Sequence, residues 1–212
     1  MKKYAFLPVI LSGIVLIAGC NSTKSTDVDI TPAQANETNT ASSLQIPTQE
    51  PMKQLADFEK INVKTATIVT SKGEIEVELY PDMAPVTVAS FLSLAQKKFY
   101  DGIVVHRVEP GFVIQAGDPK TKETGKEGEW GTGGPGYTIP DEFSSTFKYD
   151  QEGILAMAKT AAPNSGGSQF FITLGPAEFL NGQYTVFGKV TKGMDVVKNI
   201  QVGDTITTIK LQ

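Results

Sequence analysis

Glycine is distributed so unevenly along this chain that its pattern constrains the fold before any other feature. No glycine occurs between residues 21 and 60, whereas 18 of the 20 glycines lie between Gly73 and Gly203. Such density demands frequent turns and tight backbone approaches, and points to a sheet-rich or barrel architecture rather than a helical bundle. The glycine-rich stretch from residue 61 onward is about 150 residues long, the ordinary size of one domain with its own core.

The segments preceding it are of two kinds. Lys2 and Lys3 open the chain, and an apolar run from Ala5 to Ala18 follows, interrupted only by Pro8, Ser12 and Gly13. That run has the length of a secretory h-region and is shorter than the roughly 20 residues needed to span a bilayer. Residues 1–19 are therefore expected to be a lipoprotein signal peptide, since Ile17-Ala18-Gly19-Cys20 resembles the lipobox of bacterial lipoproteins. The resemblance implies diacylglyceryl attachment at Cys20 and anchoring to the cell membrane on its extracytoplasmic side. Stable anchoring needs two or three chains, at about 0.8 kcal/mol per buried CH₂. Cys20 is the only cysteine, so no intramolecular disulfide can form.

Residues 20–60 read as a lipidated N-terminus and flexible polar tether. Of the 30 residues from Asn21 to Glu50, 16 are Ser, Thr, Asn or Gln, and the first aromatic after the signal segment is Phe58. A segment of that composition cannot bury enough apolar surface to offset the entropy of ordering it. Without Lys2 and Lys3 the chain keeps 17 basic residues against 23 acidic, a net charge near −6. No basic stripe appears, so nucleic acid is not an expected partner.

Within the domain of residues 61–212, Thr65–Thr70 and Glu74–Leu79 flank Ser71-Lys72-Gly73, and the second run alternates polar and apolar residues; the pair predicts a hairpin. A helix is expected from Pro85, with Ala84 or Asp82 near its cap and Val88, Phe91, Leu92 and Ala95 buried. Further strands are expected at Ile103–Val108, Ile154–Met157, Ser168–Leu174, Thr185–Val190 and Thr205–Leu211, and a second short helix at Met194–Ile200. Between Gly117 and Gly136 runs a polar loop with seven charged residues and the only tryptophan, Trp130.

Three stretches narrow the reading. Val105-His106-Arg107-Val108-Glu109-Pro110-Gly111-Phe112-Val113-Ile114-Gln115-Ala116-Gly117-Asp118 is the first, and residues 157–172, containing Asn164-Ser165-Gly166-Gly167-Ser168-Gln169-Phe170-Phe171, the second. The third is Phe179-Leu180-Asn181-Gly182-Gln183-Tyr184-Thr185-Val186-Phe187-Gly188. In order and spacing they resemble the cyclophilin family of peptidyl-prolyl cis-trans isomerases, over nearly all of residues 66–211. The resemblance implies a mostly β fold, a closed eight-stranded antiparallel barrel capped by two helices. It implies an enzyme rotating X-Pro bonds in peptides and unfolded exported proteins, without cofactor or metal and as a monomer. A peptide-binding holdase with little catalysis is the alternative reading, and surface adhesion a third, resting on tether and anchor alone.

Carried onto matching positions, the resemblance makes Arg107, Phe112 and Gln115 catalytic. Val113, Ala158, Lys159, Gln169, Phe171, Phe179, Leu180 and Tyr184 would bind substrate. Those residue types suit the chemistry. Rotation about X-Pro faces a barrier of about 18–20 kcal/mol from amide resonance, and twisting returns the lone pair to the proline nitrogen. A donor aimed at that nitrogen binds the twisted state better than either planar one; Arg107, permanently charged and forked, is that donor. An apolar floor holds the proline ring, and two glutamines steady the fork without adding charge.

His106 is the only histidine, and without a nucleophile or second histidine beside it is read as structural. Phe179 and Tyr184 stand where many eukaryotic cyclophilins have tryptophan and histidine, and Val113 where methionine is frequent. Loss of the indole N–H implies weak cyclosporin binding. The charged stretch 120–129 looks like an insertion relative to short bacterial forms.

Overall fold

The computed structural model describes residues 50–212; the signal segment, Cys20 and most of the expected tether lie outside the described residues. Eight strands and two α-helices follow in order: β1 (Thr65–Thr70), β2 (Gly73–Leu79), α1 (Pro85–Gln96), β3 (Arg107–Glu109), β4 (Val113–Ala116), β5 (Ile154–Met157), β6 (Phe170–Thr173), β7 (Val186–Lys192), α2 (Met194–Asn199) and β8 (Ile206–Leu211). All pair antiparallel in one sheet of order β3-β4-β6-β5-β7-β2-β1-β8. No helix among the described residues is long and apolar enough to cross a membrane.

The expected closed barrel is not what forms. The sheet curls through 224° about its axis and leaves its edges 13 Å apart, an open half-barrel. β3 and β8 are those edges. β3 has only three residues, and its outward Arg107 and Glu109 are exposed charges, which blunt an edge against further pairing. The expected strand over Ile103–Val108 is shortened to Arg107–Glu109. Residues 103–105 instead cross the open side as irregular chain held to the turn before β8. Val105 N donates to Asp204 O at 2.8 Å, Ile206 N to Ile103 O at 2.8 Å, and Val104 and Thr205 form a single bridge. Ile103 and Val105 thereby seal the core, both nearly inaccessible.

The predicted hairpin is present in full register from Thr65↔Glu78 to Thr70↔Gly73. Period-two alternation places Ile75, Val77 and Leu79 inward and leaves Glu74, Glu76 and Glu78 to face outward. Helix α1 closes one end of the main core, where Phe91 meets Tyr100, Phe170 and Phe187 at centroid separations of 5.4, 5.8 and 5.3 Å. Ala84 is its N-cap and, like any alanine, offers no capping oxygen. Glu142 supplies it from 55 residues away: its carboxylate accepts from Val86 N (3.0 Å), Thr87 N (2.8 Å) and Thr87 Oγ1 (2.7 Å). A carboxylate there satisfies orphan amides and meets the positive end of the helix dipole.

Ahead of β1 the chain already lies against the domain. Pro51 O accepts from Thr138 N at 3.0 Å and Lys53 N donates to Thr138 O at 2.8 Å, with Met52 bridged parallel to Thr138. A 3-10 turn at Leu55–Asp57 follows. Phe58 is half-buried with its ring 5.9 Å from Tyr137, while Leu55 remains exposed.

Candidate active groove

Strand alternation gives the sheet a second apolar face. Ile114, Ala116, Phe170, Ile172, Leu155 and Met157 enter the main core. Their neighbours Val113, Phe171, Ile154 and Ala156 point the other way, into a smaller cluster with Leu180 and Val186. Register then aligns the chemistry. Arg107 of β3 pairs with Gln115 of β4, Gln115 with Phe171 of β6, and Phe171 with Ala156 of β5. One cross-strand row thus carries a cation, an amide and an aromatic ring in that order.

Above this row lies a groove of about 300 Å³ lined by ten residues, all of them among those expected from the sequence. Its floor is apolar and firm: Val113, Phe171 and Leu180 are each under 7% exposed. Phe112 and Phe179 make one wall, ring centroids 5.4 Å apart. Tyr184 stands edge-on to Phe171 at 5.5 Å as another. Ala158 and Lys159 complete the rim.

Among the described residues, Gln169 is the one expected site residue that does not line this groove; it lines a second cavity beside it. Its role is visible in a relay of amides. Arg107 Nη1 donates to Gln115 Oε1 at a long 3.4 Å, Gln115 Nε2 donates to Gln169 Oε1 at 2.9 Å, and Gln169 Nε2 donates to the Gly133 carbonyl at 2.8 Å. The guanidinium also stands 5.7 Å from the Phe112 ring and 3.6 Å from Glu109. Both members of that ion pair are about half exposed, so it contributes little and leaves the fork available.

Gly133 is itself anchored by a residue that the sequence reading does not single out. Asp118 is fully buried, and its carboxylate accepts from Lys120 N (2.8 Å), Gly131 N (2.6 Å) and Gly133 N (3.1 Å). A Cβ on Gly133 would run into Asp118 Oδ1, so only glycine lets the loop approach so closely. The Asp118-Pro119 pair, an N-cap residue before a proline at the first helical position, was the available signal. Farther out, hydrogen bonds from Lys120 and Lys126 hold the Glu129 carboxyl down to about 2. The charged stretch 120–129 is thus cross-linked by its own ion pairs, while Lys122 Nζ ties it to the Phe99 and Asp101 carbonyls at 2.7 and 3.1 Å.

His106 lies outside the groove, half-buried against Gly131, and neither ring nitrogen meets hydrogen-bond geometry with any described residue. Burial lowers its pKa; Asp118 opposes that and Arg107 reinforces it, with the Gln169 amide and Val104 backbone nearby. Lys159 turns its ammonium to Asp141 at 3.6 Å, both side chains mostly buried. Ala158 N already donates to Gln169 O at 2.9 Å, so of its backbone groups it is the carbonyl that a bound peptide would meet.

A permanently charged donor fork beside a buried apolar floor is suited to a group that gains a lone pair as it twists. Residues 65–211 match the family profile of cyclophilin type peptidyl-prolyl cis-trans isomerase/CLD. The chain belongs to this family. It is 46% identical over 151 residues to peptidyl-prolyl cis-trans isomerase B of Bacillus subtilis, covering 71% of this chain and 99% of the relative. It is 47% identical over 131 residues to the isomerase ppi1 of Schizosaccharomyces pombe, covering 62% and 81%. A crystal structure of a Cryptosporidium parvum cyclophilin superposes with a TM-score of 0.64 at 31% identity, over 71% of this chain and 98% of that one. A second crystal structure of that protein, determined in the presence of the dipeptide Ala-Pro, gives 0.63 at 32% identity, over 70% and 98%. The cyclophilin described here is accordingly a peptidyl-prolyl cis-trans isomerase acting on peptide or protein substrates.

Proposed function

We propose that this cyclophilin is a membrane-anchored foldase that isomerises X-Pro bonds in exported, incompletely folded proteins outside the cytoplasm. The catalytic half of the reading is carried by one observation: Arg107 stands at the end of the cross-strand row, at the edge of an apolar basin with Phe112 beside it. In the proposed mechanism the proline ring rests on Val113, Phe171 and Leu180 while the acyl side turns. Arg107 donates to the proline nitrogen as it pyramidalises, and Gln115 holds the fork and offers its amide to the substrate backbone. Substrate covers Arg107 on binding and so strengthens a contact that is half solvated in the free enzyme. Phe112 contributes by excluding water.

The location rests on the sequence of residues 1–20, where a basic start and a short apolar run end in the lipobox-like Ile17-Ala18-Gly19-Cys20. Thioether lipidation of Cys20 would hold the domain at the outer face of the membrane, close to emerging clients. Two measurements test the two halves separately. The full chain, purified in detergent, is assayed on an X-Pro peptide beside Arg107→Ala. The variant is expected to lose tenfold or more, since one charge-assisted contact is worth about 1.5–3 kcal/mol; an undiminished rate in a folded variant refutes the assignment. Palmitate labelling should be lost in Cys20→Ala, and equal labelling of both forms refutes the anchor.

A further inference from the structure

Beside the groove, and sharing Gln115, Ala158 and Lys159 with it, lies a second cavity of about 440 Å³. Its walls are almost wholly uncharged, built from residues 131–135 and from Thr160, Ser165 and Gln169 among others. Only two of the side chains lining it carry a charge, Lys159 and Glu50. Lys159 is committed to Asp141 at 3.6 Å. Glu50 has no basic group within ion-pair distance among the described residues.

Glu50 reaches this cavity because the segment after it is stitched to the domain. The backbone bonds of Pro51 and Lys53 to Thr138 fix the strand direction. The Lys53 ammonium is turned onto the rings of Tyr137 and Phe58, at 4.4 and 5.6 Å, rather than toward a carboxylate. The nearby cation Lys120 bonds Thr132 Oγ1 but is paired with Glu129 at 2.8 Å. Among the described residues, the cavity therefore presents one negative charge with no cation paired to it. Residue 50 also precedes the region 65–211 that matches the family profile, so this wall is an addition from outside the family's common domain.

We propose that Glu50 is a specificity-determining residue that favours substrates carrying a lysine or arginine two or three positions from the isomerised proline. An extended peptide advances about 3.3 Å per residue, so a chain with its proline in the groove and its backbone over Ala158 delivers that side chain to the second cavity. The neutral amides and hydroxyls solvate the stem's polar end, and Glu50 selects its charge. The inference rests on the groove being the isomerisation site.

The test uses the full chain in detergent and X-Pro peptides bearing Lys, Ala or Glu at the second and third positions on either side of the proline. At low salt the wild type should turn over Lys peptides about two- to fivefold better than Glu peptides in kcat/KM, on one side of the proline only, as an exposed ion pair allows. Glu50→Gln should bring that ratio to about one and Glu50→Lys should invert it. Raising salt should erode the wild-type preference, a readout that needs no variant. Equal ratios in wild type and Glu50→Gln, or no charge preference on either side, overturn the proposal. Wild type inactive on every peptide, including the Ala series, would instead refute the isomerisation site on which it rests.

Discussion

Gln115 and Gln169 share one hydrogen bond, Nε2 to Oε1 at 2.9 Å, and through it the arginine at the sheet edge is tied to the glycine-rich loop. Gln115 can face Arg107 with its oxygen only because its nitrogen has an acceptor, and Gln169 can offer that oxygen only because its own nitrogen is held by Gly133. The amide orientations are fixed as a set. The loop, set in place by the buried Asp118, therefore determines which way the site's amides point.

Gln169 is accordingly a positioning residue. Replacing it with alanine should lower kcat more than it raises KM, because the ring-binding floor of Val113, Phe171 and Leu180 does not depend on it. A loss of about three- to tenfold in kcat is expected for one lost hydrogen bond of 0.5–1.5 kcal/mol. Gln169→Glu keeps the acceptor for Gln115 but sets a carboxylate oxygen against the Gly133 carbonyl, two acceptors face to face, and should lose at least as much as the alanine variant. A rise in KM with kcat intact would show that Gln169 binds substrate directly.

Glu142 caps a helix to which it is remote in sequence. Glu142→Ala should destabilise the protein by about 1–2 kcal/mol, the usual cost of losing a cap with a favourable dipole contact. Glu142→Gln, which retains one acceptor, should cost less. Urea midpoints at constant m report this; a midpoint unmoved in the alanine variant would mean that solvent serves Val86 and Thr87 equally well.

That cap marks where the sequence ceased to be legible. The β1–β2 hairpin, α1 and the identity of the groove residues could be read from alternation, from the proline at the helix start and from long motifs. Period two also implies which of Val113, Ile114, Gln115 and Ala116 share a face once the strand is known. Four residues are too few to announce β4 as a strand, however. Barrel closure depends on whether two edges meet, a global property of curl and strand length, and the three-residue β3 leaves them apart. Glu142 works through backbone amides brought near only by the fold; the Asp118-Pro119 pair signals the local cap at Lys120 but nothing of Gly131 and Gly133, which the fold brings to the same carboxylate.

Phe179 is 66% exposed at the groove rim, so a larger ring fits there without displacing its neighbours. We expect weak cyclosporin binding by the wild type, since phenylalanine brings no N–H. Phe179→Trp should tighten binding about three- to tenfold, the equivalent of one neutral hydrogen bond. Calorimetric titration with the drug gives the comparison; equal affinity in both proteins would show that the rim donor is irrelevant here.

His106 makes stability depend on pH in a definite direction. Burial first, and the Arg107 charge after it, lower its pKa in the folded protein, while Asp118 acts in the opposite sense without prevailing. Above the ordinary histidine value near 6.5 the ring is neutral in both folded and unfolded chains, and its contribution is constant. Below that value the unfolded chain takes up a proton that the folded one resists, so stability falls with pH until the lowered folded pKa is passed. The melting temperature of the wild type should therefore drop between pH 7 and 5.5 more steeply than that of His106→Gln, whose neutral side chain has no proton to gain. Parallel slopes in the two proteins would show that the ring is solvated in both charge states and that its burial against Gly131 costs the imidazolium nothing.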